Sequence, residues 1–227
     1  MANGELDQSD AGRSDDGDRH VVFSEATSRP GPYRGPFTEI YRWLSILFLK
    51  ASGWRMKGDW PEIDKMVLVA APHTSNWDGI YMLAAAGYYR IPLRWMGKKE
   101  LSQGPFGGLV KGMGLVPVDR TGNNDIVKQM VDAFSAARSM VLAVSPEGTR
   151  SKTREWKTGF YHIAHASGVP LLMTVLDYGG KTIRLSGVLK TSGDYDADFA
   201  LIKSHYDGAK GKFDKFTVAK KDRDAVS

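Results

Sequence analysis

Met66-Val67-Leu68-Val69-Ala70-Ala71-Pro72-His73-Thr74-Ser75-Asn76-Trp77-Asp78-Gly79 holds the change of pattern on which the fold reading turns. Six apolar residues, Met66 to Ala71, run into a proline. So short an apolar run, bounded by a breaker, reads as a buried strand. Beyond the polar break, Trp77 to Tyr88 reads as a helix. Outward from this junction the alternation continues. Leu93 to Met96, Leu115 to Val118, Met140 to Val144, Leu171 to Leu176 and Thr182 to Leu185 read as strands, and Asp125 to Ala137 and Thr158 to Ala166 as helices. The pattern predicts a single α/β domain: a mixed, largely parallel sheet flanked by helices. In such sheets the working loops lie beyond the C-terminal ends of strands, which is where His73 stands.

Of the 227 residues, 42% are hydrophobic and 25% charged, the balance of a chain that buries one sizeable core. The absence of cysteine removes disulfides, thiolate metal sites and cysteine nucleophiles together. The net charge is +5, but residues 1–19 set six carboxylates against Arg13 and Arg19, so the remainder carries +9. An excess of that size favours an anionic partner: a membrane surface, a phosphorylated substrate or nucleic acid. No basic-aromatic module of a known nucleic-acid-binding kind occurs, so no nucleic-acid partner is expected.

Residues 1–35 are polar and acidic, with Pro30-Gly31-Pro32 near their end, and read as a disordered tail. They lack the basic start and apolar run of a secretory signal, so a cytoplasmic location is expected. Residues 36–54 read as an amphipathic helix, with Ile40, Trp43, Leu44, Leu47 and Phe48 at helical spacing. Its apolar stretch, Trp43 to Leu49, is far short of the roughly 20 residues that span a bilayer. Two uses fit. The helix packs on its own domain, or it lies in a membrane interface with Arg42, Lys50 and Arg55 at lipid phosphates. The second use makes the protein peripheral on the inner face of the membrane. Residues 55–207 are expected to form the globular domain, and 208–227 a basic, frayed tail.

His73 and Asp78 are five residues apart. A regular helix turns about 100° per residue and would put them on different faces, so they meet only if His73 precedes the helix. Asp78 would then orient the imidazole and stabilise its protonated form, leaving the second nitrogen as a general base. The spacing from Ser75 to Asp78 is equally a helix-capping pattern that needs no catalysis, and the two readings are compatible.

Three further blocks follow. Gly114-Leu115-Val116-Pro117-Val118-Asp119-Arg120 ends a strand in an acid and a base. Ser145-Pro146-Glu147-Gly148-Thr149-Arg150-Ser151 follows a buried-looking strand, and Gly168-Val169-Pro170-Leu171-Leu172-Met173 enters another. Arg120 and Arg150 offer guanidinium forks suited to phosphate, and Gly148 lets backbone approach a ligand. Thr149 adds a donor, while Glu147 accepts from hydroxyls or orders the arginines. Taken singly, each block is equally a surface pair, a turn or a core strand. A serine hydrolase is disfavoured by the lack of G-x-S-x-G, and a P-loop by the missing upstream glycine before Gly180-Lys181-Thr182.

In their order along the chain, the four blocks resemble the glycerolipid acyltransferase family, which includes lysophosphatidic acid and glycerol-3-phosphate acyltransferases. His73 and Asp78 match its H-x-x-x-x-D, Gly114 to Arg120 its glycine-to-D-R block, Pro146 to Arg150 its P-E-G-T-R, and Val169-Pro170 its final strand. The resemblance implies that His73 deprotonates an acceptor hydroxyl, which attacks the thioester of acyl-CoA or acyl carrier protein directly, with Asp78 orienting the base. It implies that Arg120, Glu147, Gly148, Thr149 and Arg150 bind the phosphate or glycerol of a lysophospholipid or glycerol-phosphate acceptor. Neither a metal nor a cofactor beyond the donor thioester is implied. Pro72, Ser145 and Thr174 depart from the asparagine, aromatic residue and proline common at these places. These departures bear on acceptor identity more than on the reaction. The competing functions are an acyl thioesterase using the same pair and a non-catalytic membrane-binding protein.

Overall fold

The structure is a computed structural model that describes residues 20–22, 36–119, 125–153 and 155–215. Arg120, most of residues 1–35 and all of 216–227 lie outside the described residues. The strands are β1 (His20–Val22), β2 (Arg55–Lys57), β3 (Lys65–Ala71), β4 (Leu93–Lys98), β5 (Leu115–Val118), β6 (Met140–Val144), β7 (Leu171–Asp177) and β8 (Thr182–Leu189). The helices are α1 (Pro36–Ser52), α2 (Trp77–Tyr89), α3 (Gly107–Gly112), α4 (Ile126–Ala136), α5 (Gly159–Ser167) and α6 (Tyr195–Ser204). A 3-10 turn at Lys99–Ser102 follows β4.

The strands form one sheet in the order β1-β8-β7-β3-β6-β4-β5, with β2 also paired to β8. From β7 to β5 all neighbours run parallel, and β8 is antiparallel to β7, which makes the sheet mixed and largely parallel as expected. β3 is its centre. Val67, Val69 and Ala71 point into one cluster with α4, α5 and α6, where Phe134, Trp156, Phe160 and Phe199 are buried. Met66 and Leu68 point to the other face, against Leu49, Met82, Ala85 and Tyr89 of α1 and α2. A strand covered on both faces needs an unbroken apolar run, and that is why Met66 to Ala71 does not alternate with polar residues.

Each helix boundary has a local cause. Asp125 caps α4 by accepting from the N–H groups of Val127 and Lys128, and Asp194 caps α6 in the same way through Asp196 and Ala197. Gly168 ends α5 at φ 64°, a conformation that costs glycine least.

Two expectations change. His20–Val22, inside the stretch expected to be disordered, pairs antiparallel with Gly187–Leu189. A three-residue strand with two valines gains its order from the sheet edge it joins, which composition does not reveal. In the segment expected to fray, residues 208–215 are held against the domain. The Tyr178 N–H donates to the Lys210 carbonyl, the Lys210 N–H to Asp177 Oδ1 and the Phe213 N–H to Thr74 Oγ1.

Candidate active site

β7, β3 and β6 are adjacent and parallel, so their C-terminal ends open on the same edge. The loop after β3 carries His73 and leads into α2, which carries Asp78 in its first turn; the loop after β6 carries Glu147, and β7 ends beside Tyr178. Three segments distant in sequence therefore converge above the central strand.

After the cis Ala71–Pro72 peptide the chain turns through His73 to Ser75 and enters α2. The helix starts at Trp77, as its pattern predicts, with Asn76 as its N-cap and no side-chain capping bond. The Asp78 carboxylate instead reaches back and orders the turn before the helix. Its Oδ2 accepts from the Thr74 and Ser75 N–H groups at 2.6 and 2.7 Å, and its Oδ1 from Ser75 Oγ at 2.8 Å. Tyr178 donates a further hydrogen bond to Oδ1. His73 Nδ1 lies 3.3 Å from Asp78 Oδ2. Ordering the turn before the helix and orienting the imidazole are thus combined in one carboxylate.

Asp78 is 2% exposed and His73 31%. Burial pushes the Asp78 carboxyl up, but hydrogen bonds from His73, Tyr178 and Ser75 outweigh it and hold the group below its ordinary value. It is therefore an anion at neutral pH. With Nδ1 directed at that anion, Nε2 is the nitrogen left for a substrate. Tyr178 is kept well above the usual phenol range by burial and by its bond to Asp78, so it stays a donor. Its ring is set edge-on to Trp54 and Tyr81.

Glu147 supports the loop from the opposite side. Its Oε1 accepts from the His73 N–H at 2.8 Å and its Oε2 from Ser145 Oγ at 2.7 Å. Ser145, a departure from the family pattern, thus has a defined use. Burial pushes the Glu147 carboxyl above its ordinary value, and the bonds from Ser145 and the His73 backbone offset only part of this. Glu147 therefore fixes the backbone of His73 with one carboxylate oxygen and accepts from Ser145 with the other.

A cleft of about 520 Å³ lies beside His73. Pro72, Asn76, Ser145 and Gly148 join His73 and Asp78 at its polar end, while Ile80, Met82, Leu83, Leu93, Met96 and Met113 line the rest. Its shape is that of a site for a molecule with one polar reacting group and one long apolar part. Gly148 stands at φ +62°, and a Cβ there would come within 2.8 Å of Lys157 Cδ. Lys157 thus lies over the Glu-Gly-Thr-Arg turn, a placement that sequence reading did not anticipate. Thr149 and Arg150 are exposed on the same turn and do not line the cleft, and the Ser151 N–H donates to Thr149 Oγ1. Among the described residues no group of three His, Asp or Glu side chains is placed to hold a metal ion.

Tyr178 also escaped sequence reading. It sits one residue after β7, where the parallel pairing of β7 with β3 would have aimed attention had the register been known.

Residues 56–176 match the Acyltransferase family. The chain is 32% identical over 123 residues to the 1-acyl-sn-glycerol-3-phosphate acyltransferase of Escherichia coli, an alignment covering 51% of this chain and 49% of that protein. It is 30% identical over 156 residues to the probable 1-acyl-sn-glycerol-3-phosphate acyltransferase of Mycoplasma genitalium, covering 62% and 57%. The chain spans about half the length of these curated relatives. Its fold is similar to the crystal structure of the 1-acyl-sn-glycerophosphate (LPA) acyltransferase PlsC of Thermotoga maritima, with a TM-score of 0.52 and 15% identity over 74% of this chain and 75% of that one.

Proposed function

The chain belongs to the Acyltransferase family, and from that premise we propose that it moves a fatty acyl group from acyl-CoA or acyl carrier protein to a hydroxyl of a lysophospholipid or glycerol-phosphate acceptor. The observation that carries the proposal is the meeting of His73 with a buried, anionic Asp78 at the polar end of an apolar cleft. In the reaction, His73 Nε2 takes the proton of the acceptor hydroxyl as its oxygen attacks the thioester carbonyl carbon. The tetrahedral adduct collapses with cleavage of the carbon–sulfur bond, and the departing thiolate takes the proton back from the imidazolium. Asp78 stabilises the imidazolium while it exists, and no acyl group is attached to the protein. The apolar walls suit the acyl chain.

The turn from Glu147 to Arg150 offers Arg150 and the overlying Lys157 to an acceptor phosphate, with Arg120, outside the described residues, assigned the same role by its motif. Attachment to the membrane is assigned to α1. No helix among the described residues is long and apolar enough to cross a membrane. Yet α1 turns Ile40, Trp43, Leu44 and Leu47 outward and packs on α2 through Ser45 and Leu49. Its most apolar face is thus its outer one, the reverse of a helix serving only its own core.

The test is acceptor dependence. Purified protein is given one acyl-CoA and a panel of lysophospholipids and glycerol phosphate, and products are read by mass spectrometry. The proposal expects acylated acceptor, and weaker use of phosphate-free acceptors. Release of free fatty acid at the same rate with and without acceptor would make the protein a thioesterase.

A further inference from the structure

Outside α1 the molecule carries a second exposed apolar group. Leu101 in the 3-10 turn, Phe106 before α3, and Leu109 and Met113 along and after it are each about half exposed or more, Phe106 reaching 71%. Four large side chains are thus left in water within thirteen residues, on a segment interrupted by Gly104, Gly107, Gly108 and Gly112. We propose that this lip, Leu101 to Met113, is a second membrane-inserting element that works together with α1, so that the protein sits on the lipid surface by two contacts.

Three observations commit the lip to lipid. The first is its place. A cleft of about 470 Å³ is lined by Tyr41 of α1 on one side and by Gly112 and Met113 on the other, so α1 and the lip flank one opening. That cleft shares Leu83, Leu93 and Met113 with the cleft beside His73, so the two adjoin through apolar walls. The second is charge. Around the lip stand Arg94, Lys98, Lys99 and Lys111 against Glu100, and along α1 stand Arg42 and Lys50. The α1 carboxylate, Glu39, is engaged by Arg90 at the α1–α2 contact. Both apolar groups are therefore rimmed by positive charge, the complement of an anionic lipid surface. The third is shape. The apolar side chains project from two separate elements rather than forming one flat face, an arrangement that enters a soft interface more readily than it matches a rigid partner.

The inference rests on the acyl-transfer reading for its purpose but not for its test. Because the chain has no native cysteine, single cysteines can be placed at will. Leu44→Cys on α1, Leu109→Cys on the lip and Lys203→Cys on α6, which packs on the opposite face of the sheet, are each labelled in the full chain with an environment-sensitive fluorophore. Labelled protein is mixed with vesicles of phosphatidylcholine containing phosphatidylglycerol, without donor or acceptor.

The expected result is a blue shift and quenching by doxyl-lipids at positions 44 and 109, with position 203 unchanged. Phe106→Ser combined with Leu109→Ser, both exposed and away from the core, should lower the vesicle partition constant on the order of tenfold or more, the scale of withdrawing large apolar side chains from lipid. A label at 109 that stays in water while 44 inserts would overturn the inference and leave the acyl-transfer reading intact. Conversely, insertion at 109 in a protein that transfers no acyl group would refute that reading and leave the lip standing. A shift at 109 that grows with protein concentration in the absence of vesicles would assign the surface to a second copy of the chain and overturn the proposal.

Discussion

Replacing Asp78 in two ways separates its structural work from its chemical work. In Asp78→Ala the N–H groups of Thr74 and Ser75, which donate to Oδ2 at 2.6 and 2.7 Å, lose their acceptor in a turn where Thr74 is 4% and Ser75 7% exposed. A buried donor left unpaired costs about 1–3 kcal/mol, so two cost roughly 4 kcal/mol at mid-range. At about 2–4 °C per kcal/mol for a chain of this size, the melting temperature falls by about 8–16 °C.

Asp78→Asn is different. The amide oxygen can replace Oδ2 and keep both N–H bonds, while the amide N–H group faces the hydroxyls of Ser75 and Tyr178, which can turn to accept. The fold should therefore lose only about 1 kcal/mol. The negative charge beside His73 Nδ1 is gone, however, and acyl transfer should fall by about a hundredfold or more because the imidazolium is no longer stabilised. Thermal melts and single-turnover transfer assays on the two variants read the two effects apart. Asp78→Asn turning over within threefold of the parent would leave Asp78 only the ordering of the turn, and Asp78→Ala melting with the parent would refute the hydrogen-bond accounting.

Three further perturbations test the surroundings. Tyr178→Phe removes one donor from the Asp78 carboxylate; a hydrogen bond to a charged group is worth about 1.5–3 kcal/mol, and the partial exposure of Tyr178 puts the loss seen in urea melts near the lower figure. Glu147→Gln keeps an acceptor for the His73 N–H but removes a carboxyl whose pKa burial has raised. Such a group adds stability below its unfolded-state pKa and loses that contribution as pH rises through the folded value. The melting temperature of the variant should therefore gain on the parent from acid to neutral pH, and a constant offset across that range would contradict the assignment. Gly211→Ala places a Cβ 2.6 Å from Thr74 Cγ2. It should lift the C-terminal segment from the loop and cost about 1 kcal/mol, seen as faster hydrogen exchange at the Phe213 amide.

The parts of this molecule legible in sequence are those with a strong local signal. Met66 to Ala71 is apolar because β3 is covered on both faces, and the flanking strands repeat the signal. The His73–Asp78 meeting followed from placing His73 before a helix, and the helix begins at Trp77 as its pattern predicts. Less legible were elements ordered by their neighbours. β2 has three residues and pairs with the start of β8, and α3 is a glycine-rich turn and a half whose apolar side chains face out. α6 is defined by Asp194 as much as by its apolar residues. In the site, Glu147 was identified but its task was not. Its carboxylate binds the His73 backbone, a contact across 74 positions of sequence that only the β3–β6 pairing creates. Tyr178 and Lys157 depend on β7 register and on a glycine turn respectively, neither of which has a sequence signal of its own.

Whether His73 is the base of an acyl transfer is decided by His73→Ala assayed with acyl-CoA and lysophosphatidic acid, with product lipid read by mass spectrometry. His73 is 31% exposed and is one of several partners of the Asp78 carboxylate, so the variant should stay folded and bind vesicles like the parent while losing about 1.5 kcal/mol of stability, the lower figure for a hydrogen bond to a charged group. Its rate of acylated-product formation should fall by about 10²–10⁴-fold. Near-normal turnover by a folded His73→Ala protein would contradict that role.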